Sequence, residues 1–265
     1  MIPKFFAQDN VYLKIFRQAV FYGLLYAAWQ GFASMKMWPS YLFPSPAQVW
    51  ETLCSIFRDG SLWSGVGATM GRLLAGYGIS VVFGVLLGLL IGKVRVLDET
   101  LGGFFVGLQT LPSICWLPLA ILWFGLGESA ILFVVIMGSL LSVSIATDSG
   151  VKNIQPLFLR AGLNMGAKGK DMFLQVVLPA AMPSILGGLK QGWSFAWRAL
   201  MGAEIVFSTV GLGHLLNVGR ELNDMSQVMA VMVVITAIGI FMDVLVFGAL
   251  EKKVRRVWGL EKAKG

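Results

Sequence analysis

Five apolar stretches of 17 to 23 residues constrain the fold of this chain more than any other feature. A hydrocarbon core about 30 Å thick requires about 20 mostly apolar helical residues. The stretches cover residues 19–35, 73–91, 104–124, 130–147 and 228–250. Another stretch, residues 184–205, is apolar apart from Lys190, Arg198 and Glu204 and is the fifth in chain order. The pattern predicts an all-α polytopic membrane protein with six transmembrane helices.

The composition excludes most other classes of protein. Of the 265 residues, 57% are hydrophobic and 13% charged, whereas about a quarter of the residues of a soluble domain are charged. Cys54 and Cys115 are the two cysteines and His214 the single histidine, so neither a disulfide framework nor a metal site of several Cys or His residues is expected. A net charge of +7 would suggest nucleic acid in a soluble protein, but here it indicates asymmetric loops facing membrane lipid, with no nucleic-acid partner.

The distribution of lysine and arginine predicts the orientation. Fifteen of these residues fall on one side of the six stretches and four on the other, and Lys190 and Arg198 lie inside the fifth stretch. Because cytoplasmic loops carry the excess of positive charge, both termini are predicted to be cytoplasmic. Trp38-Pro39 is preceded by no convincing cleavage site, so the first stretch is interpreted as a retained helix. Residues 1–265 are interpreted as one transmembrane domain.

Two connections are predicted to contain short helices. Ser45-Pro46-Ala47-Gln48 is typical of a helix N-cap with proline at the first helical position, which predicts an interfacial helix from Pro46 to about Arg58. The inner segment, residues 148–183, is too polar to span a membrane and is amphipathic. It predicts two short cytoplasmic helices that meet in a tight turn at Gly166, with Pro179 ending the second helix before the membrane. Such a hairpin could dock against a cytoplasmic partner.

The most specific motif lies in this inner segment, which reads Arg160-Ala161-Gly162-Leu163-Asn164-Met165-Gly166-Ala167 and later Val176-Val177-Leu178-Pro179. It resembles the EAA loop of ABC importer permeases: Glu-Ala-Ala, three residues, Gly, nine residues, Ile, one residue, Leu-Pro. Every spacing fits when the glycine of that pattern is placed on Gly166. Arg160 and Gly162 stand where the family has Glu and Ala.

Further motifs are similar to permeases of the nitrate, sulfonate and taurine importer group. They are Phe43-Pro44-Ser45-Pro46, Leu111-Pro112-Ser113-Ile114, the run from Trp116 to Gly125, Ala203-Glu204 and Gly211-Leu212-Gly213. The resemblance covers about residues 43–259. It implies a dimeric permease of a type I ABC importer in the bacterial inner membrane.

The resemblance also implies the partners and the solute. Two separate ATPase subunits would bind ATP and Mg²⁺, and a periplasmic or lipid-anchored binding protein would deliver a small solute, such as a sulfonate, taurine, nitrate or bicarbonate. A cofactor precursor is the alternative solute within the group. The chain contains no Gly-x-x-x-x-Gly-Lys-Ser/Thr pattern, so it is not expected to be the ATPase or to bind a cofactor itself.

Functions of other classes are less well supported by the residues. One histidine with scattered acids does not provide the constellation that an intramembrane enzyme needs. A secondary transporter usually shows midplane acids and repeated halves, whereas Glu204 and Asp243 are the candidate acids and no internal repeat is apparent.

The candidate functional residues fall into two sets. The resemblance implies coupling to the ATPase through Arg160, Ala161, Gly162, Gly166, Ala167, Leu178 and Pro179. The cost of charge within the membrane predicts a translocation pathway bordered by Gln109, Trp197, Arg198 and Glu204.

Several alternatives stay open for the intramembrane polar residues. Arg198 and Glu204 could instead form a buried structural pair, Lys190 could extend to the cytoplasmic interface, and Asp243 could satisfy a neighbouring helix. Gly84, Gly88 and Gly92 permit close helix approach, which is expected to pack the bundle more than to form a dimer. Gln109, Pro112 and Pro118 are expected to interrupt the third stretch and to line a cavity.

Overall fold

The computed structural model describes residues 11–207 and 209–257, and all its regular structure is helical. The first helices are α1 (Val11–Ser34), α2 (Pro46–Arg58) and α3 (Ser61–Lys93). They are followed by α4 (Arg95–Gln109), α5 (Ser113–Phe124), α6 (Glu128–Lys152) and α7 (Pro156–Asn164). The last are α8 (Gly169–Phe207), α9 (Leu212–Glu221) and α10, whose segments run from Met225–Phe241 through Met242–Phe247 to Gly248–Val257. The all-helical prediction is therefore confirmed over this part of the chain.

Fewer membrane spans are evident than the six predicted. Among the described residues, α3, α6, α8 and α10 are long and apolar enough to cross a membrane, and α4 with α5 makes a fifth span if the bent pair is counted as one. Helix α1 contains the first predicted stretch but carries tyrosine, tryptophan and glutamine side chains that lower its hydropathy. The residues before 11 and after 257, which bear on the predicted position of the termini, lie outside the described part of the chain.

The third stretch, residues 104–124, is divided between two helices, in agreement with the expected interruption. Helices α4 and α5 meet at an angle of 103°. Thr110 and Leu111 close a turn on the carbonyls of Gly107 and Leu108, and Pro112 has no N–H to continue the helical ladder. The interruption expected at Pro112 is thus present, and it is a sharp change of direction.

Proline does not end the second helix of the inner segment, which corrects the prediction for Pro179. Helix α8 continues through Pro179 and Pro183 to Phe207. The residues directly before, Phe173–Val177, form a π-helical turn in which the N–H of Leu178 donates to the carbonyl of Phe173. Such a wider turn shifts the hydrogen-bond pattern where a following proline cannot donate.

The short helix predicted at Pro46–Arg58 is confirmed with its boundaries, and its position at the membrane interface stays a prediction. Helix α2 begins at Pro46, and the side chain and backbone of Ser45 and Gln48 form a reciprocal capping box. The backbone N–H of Ser45 donates to Oε1 of Gln48 at 2.8 Å. These bonds satisfy donors that a helix start would otherwise leave free.

The core of the bundle lies where α3 and α8 pack against α6. Leu73, Val134 and Leu200, one from each helix, have no exposed surface. Gly84 allows close approach of α3 and α6, because a Cβ built on it would lie 2.9 Å from Cβ of Val143. Gly88 and Gly92 face the next two turns of α6 in the same way. The glycine repeat therefore packs two helices of one chain, as expected.

Candidate functional site

Helix α7 and the start of α8 form a hairpin, residues 156–177, which we call the coupling hairpin. Its turn lies at Gly166, whose φ is +87°. The N–H of Ala167 donates to the carbonyl of Gly162 at 2.9 Å, and the N–H of Gly166 donates to that of Leu163 at 3.0 Å. This pair of bonds is the Schellman motif, which terminates a helix through a residue in the left-handed conformation. The tight turn at Gly166 is therefore confirmed.

The two arms of the coupling hairpin meet at Gly162. This residue is buried, and a Cβ built on it would lie 2.8 Å from Cγ2 of Val176 and 3.2 Å from Sδ of Met172. A larger residue at this position would separate the arms. Arg160 and Ala161 are exposed on the other faces of α7, whereas Leu178 and Pro179 are half-buried at the base of the hairpin.

The outer surface of the coupling hairpin is apolar, and basic residues lie around it. The side chains of Leu157 and Met165 are 70% and 87% exposed. Leu163 is also exposed, and Arg160, Lys168 and Lys170 lie on the same short segment. Exposed apolar surface with a polar rim marks an interaction site in a folded protein. The hairpin has the character of a docking surface.

An ion-pair cluster around the buried Glu204 joins three helices near the start of α6. Glu204 of α8 is 0% exposed, and its Oε1 lies 2.8 Å from Nη1 of Arg72 on α3. Arg72 also donates through Nε and Nη2 to both carboxylate oxygens of Glu128, each at 2.6 Å. The hydroxyl of Thr69 lies 2.9 Å from Oε2 of Glu204 and accepts a bond from the N–H of Leu212. We call Thr69, Arg72, Glu128 and Glu204 the arginine cluster.

Two glycines allow the backbone to close over Glu204. A Cβ on Gly211 would lie 2.5 Å from Oε2 of Glu204, and a Cβ on Gly213 would lie 2.5 Å from Cβ of Glu204. Without side chains there, the N–H of Gly213 donates to Oε2 of Glu204 at 3.0 Å. The residues Gly211-Leu212-Gly213 thus lie at the start of helix α9 and cover a buried carboxylate.

A cavity of about 320 Å³ lies at the bend between α4 and α5. Gln109 and Arg198 both line it, together with the residues of the bend. We call this space the bend cavity. The interrupted third stretch therefore borders a cavity, and the structure brings together two of the four predicted pathway residues.

Trp197 and Arg198 line a second cavity of about 380 Å³ between α8 and α10. We call this space the α8–α10 cavity; Asp243 lies on its other wall. The Nε of Arg198 donates to the carbonyl of Ser194 at 3.1 Å, and its guanidinium lies 4.9 Å from the ring centre of Phe195. No carboxylate among the described residues pairs with Arg198.

Glu204 does not join the other predicted pathway residues. Its carboxylate lies within the arginine cluster and lines neither cavity beside Arg198. The open alternative of an Arg198–Glu204 pair is also wrong, since the partner of Glu204 is Arg72. The reason is topological: Arg72 lies on α3, far away in the sequence, and packing of α3 beside α8 brings the charges together.

Lys190 and Asp243 form an ion pair between α8 and α10. The Nζ of Lys190 lies 2.9 Å from Oδ1 of Asp243 and 3.9 Å from Oε1 of Glu251. Asp243 thus satisfies a neighbouring helix, as one alternative had it, and the extension of Lys190 to the cytoplasmic interface stays a prediction. Within the part of the chain that the structure describes, no group of three or more His, Cys, Asp or Glu residues could hold a metal ion.

Sequence reasoning missed Arg72, Thr69 and Glu128 as members of a site. Arg72 was counted among the loop charges because it directly precedes the second apolar stretch. Helix α3 begins at Ser61, however, so Arg72 lies three turns inside it. A charged residue three turns inside a long apolar helix was the sequence signal that Arg72 has an acidic partner.

Comparison with known proteins agrees with this architecture. Residues 80–258 match the family described as binding-protein-dependent transport system inner membrane component. A putative ABC transporter permease of Methanocaldococcus jannaschii is 35% identical over 189 residues, which is 71% of each chain. The taurine transport system permease of Escherichia coli is 28% identical over 87% of this chain and 86% of its own length.

The putative aliphatic sulfonates transport permease of Escherichia coli is 30% identical over 82% of this chain and 83% of its own length. The family match begins within α3 and includes the coupling hairpin and Arg198. The chain therefore belongs to the family of binding-protein-dependent transport system inner membrane components.

Proposed function

We propose that this chain is the membrane subunit of an ATP-driven importer of a small oxyanion, such as taurine, another sulfonate, nitrate or bicarbonate. Two relatives carry names that specify taurine and aliphatic sulfonates. The observation that carries the choice is Arg198, which lines two cavities and has no carboxylate partner among the described residues. A cation within apolar helices is costly, and an oxyanion would supply charge-assisted hydrogen bonds.

The proposed pathway runs past Gln109, Trp197 and Arg198. Gln109 and Arg198 face the bend cavity, and Trp197 and Arg198 face the α8–α10 cavity. Arg198 is common to both spaces, so a solute passing between them would meet its guanidinium. Glu204 has a structural role in this proposal, because the arginine cluster joins α3, α6 and α8.

The proposed assembly contains two permease copies, two ATPase subunits that bind ATP and Mg²⁺, and an external binding protein. The coupling hairpin supports this arrangement through Leu157, Leu163 and Met165, whose apolar side chains are exposed. A cleft in the ATPase would cover them. The basic residues around them would then face acidic groups of the partner.

The proposed topology has six crossings and cytoplasmic termini. Helix α1, the bent pair α4–α5 and the four long helices supply the crossings. The test is a set of reporter fusions: Lys168 should be cytoplasmic and Arg220 external. External labelling of Lys168 would contradict the topology, and so would cytoplasmic labelling of Arg220.

Reconstitution tests the transport function. The permease is co-purified with its ATPase and binding protein, placed in proteoliposomes and supplied with labelled taurine, ethanesulfonate, nitrate or bicarbonate. We expect uptake of at least one probe that requires both ATP and the binding protein. If none of the four accumulates while a cofactor precursor does, the solute class is wrong and the permease function stands.

Gly166 tests the coupling hairpin. Gly166→Val should uncouple ATP hydrolysis from uptake, because a β-branched residue is strongly disfavoured at a φ of +87°. Gly166→Asn is the matched control, since asparagine tolerates the left-handed conformation. Initial uptake and solute-stimulated hydrolysis are measured at equal amounts of assembled complex. Normal coupling in Gly166→Val would contradict the docking role of this turn.

A further inference from the structure

The α8–α10 cavity contains charges of both signs on its walls. Arg198 lines it from α8 and Asp243 lines it from α10, with Trp193 and Trp197 beside them. An unpaired cation and an unpaired anion on the walls of one cavity would be expected to form an ion pair with each other. Among the described residues, however, no ion pair joins Arg198 to Asp243.

Asp243 is paired with Lys190 instead. Its ammonium lies 2.9 Å from the carboxylate of Asp243, within direct ion-pair distance. It also approaches Glu251 at 3.9 Å from the next turns of α10. Asp243 is therefore already compensated, and the guanidinium of Arg198 has only a backbone carbonyl and the face of Phe195 as described neighbours.

Both cations of α8 lie close to Asp243, one as its ion-pair partner and the other across the same cavity. Lys190 and Arg198 are eight residues apart on α8, about 12 Å along its axis. Asp243 forms an ion pair with the first and shares a cavity with the second. In a medium of low dielectric constant, charges couple across such distances far more than in water. Removing Lys190 would leave Asp243 to attract Arg198.

We propose that Lys190 is a positioning residue: by compensating Asp243, it leaves Arg198 free to receive the anionic group of the solute. The proposal rests on the proposed function, because it requires an oxyanion to pass Arg198. Lys190 would affect transport without touching the solute, because it acts through Asp243. The residue positions charge within the cavity wall.

The first test measures uptake by the reconstituted complex with labelled taurine as the probe. Lys190→Gln should lower initial uptake at least about tenfold, because Asp243 would then oppose the anion and compete for Arg198. The double variant Lys190→Gln, Asp243→Asn should recover to within about twofold of the parent, since it removes both charges of the pair. A merely structural role of Lys190 would not give this rescue.

Lys152→Gln is the matched control. Lys152 also pairs with two acids, Asp98 and Asp148, but these residues line neither cavity beside Arg198. Its uptake should stay within about twofold of the parent. Normal uptake in Lys190→Gln would overturn the proposal, and so would failure of the double variant to recover while the complex remains assembled.

A second measurement does not depend on the transported solute. Cysteine is placed at position 198 in a chain lacking Cys54 and Cys115, and its reaction with an anionic and a cationic methanethiosulfonate reagent is compared. Lys190→Gln should lower the ratio of anionic to cationic reaction rates about tenfold, and Asp243→Asn should restore it. An unchanged ratio overturns the proposal. Lack of uptake of all oxyanion probes by the parent complex would instead refute the proposed solute.

Discussion

Arg72 and Arg198 both lie in long apolar helices, yet their surroundings are opposite. Arg72 donates to two carboxylates and a backbone carbonyl, and its partner Glu204 is fully buried. Arg198 donates to one carbonyl of its own helix and borders two cavities. The first arginine is satisfied by the protein. The second has donors available for a ligand.

The difference separates a structural from a functional charge. Removing one partner of a buried ion pair leaves an uncompensated charge and costs about 3–5 kcal/mol. Removing a cation that has no protein partner takes away little folding free energy, but it removes the group that would meet a solute. Changes to the surroundings of Arg72 should therefore lower stability, whereas loss of Arg198 should lower transport, and three substitutions test this contrast.

The largest effect on stability is expected for Glu204→Ala. This change leaves Glu128 as the one described carboxylate partner of Arg72 and opens a space in the core, so the free energy of unfolding should fall by about 3–5 kcal/mol. Thermal unfolding of the purified permease in detergent measures the loss. Glu128→Ala is the control, because the side chain of Glu128 is 58% exposed and surface pairs contribute about 0–1 kcal/mol. Equal losses in the two variants would contradict a buried role for Glu204.

An intermediate effect is expected for Gly213→Ala. The new Cβ would lie 2.5 Å from Cβ of Glu204 and 3.0 Å from the backbone N of Ile205. Relief of this overlap should cost about 1–3 kcal/mol of unfolding free energy. Gly67→Ala is the matched control, since a Cβ there meets nothing within 4 Å. A Gly213→Ala protein as stable as the control would show that the cover over Glu204 is loose.

The smallest effect on stability, with a large effect on transport, is expected for Arg198→Gln. The unfolding free energy should stay within about 0.5 kcal/mol of the parent value. Initial uptake of the transported oxyanion should fall at least about tenfold, because the charged donor is lost. Comparing thermal unfolding with uptake separates the two effects. A strongly destabilised Arg198→Gln would place this arginine in the same class as Arg72, and normal uptake would remove it from the pathway.

Local sequence signals predicted the elements that depend on neighbouring residues. The capping box at Ser45 and Gln48, the turn at Gly166 and the close packing at Gly84 each follow from residues a few positions apart or from the absence of a side chain. The interruption at Pro112 belongs to the same class, although its 103° angle does not follow from the residue type. The expected end at Pro179 was wrong because the π-helical turn before it was not foreseen.

Long apolar runs and the bias of positive charge determined by themselves that this chain is helical and belongs in a membrane, because burial of the backbone in lipid requires helices. Only the tertiary structure determines which charged side chains form ion pairs with each other. Glu204 and Arg72 are 132 positions apart, and Lys190 forms an ion pair with Asp243 on another helix. Apolar periodicity brings helices together without specifying which polar groups will face each other. The partners depend on the crossing of α3, α8 and α10, and that crossing leaves Arg198 open while it encloses Arg72.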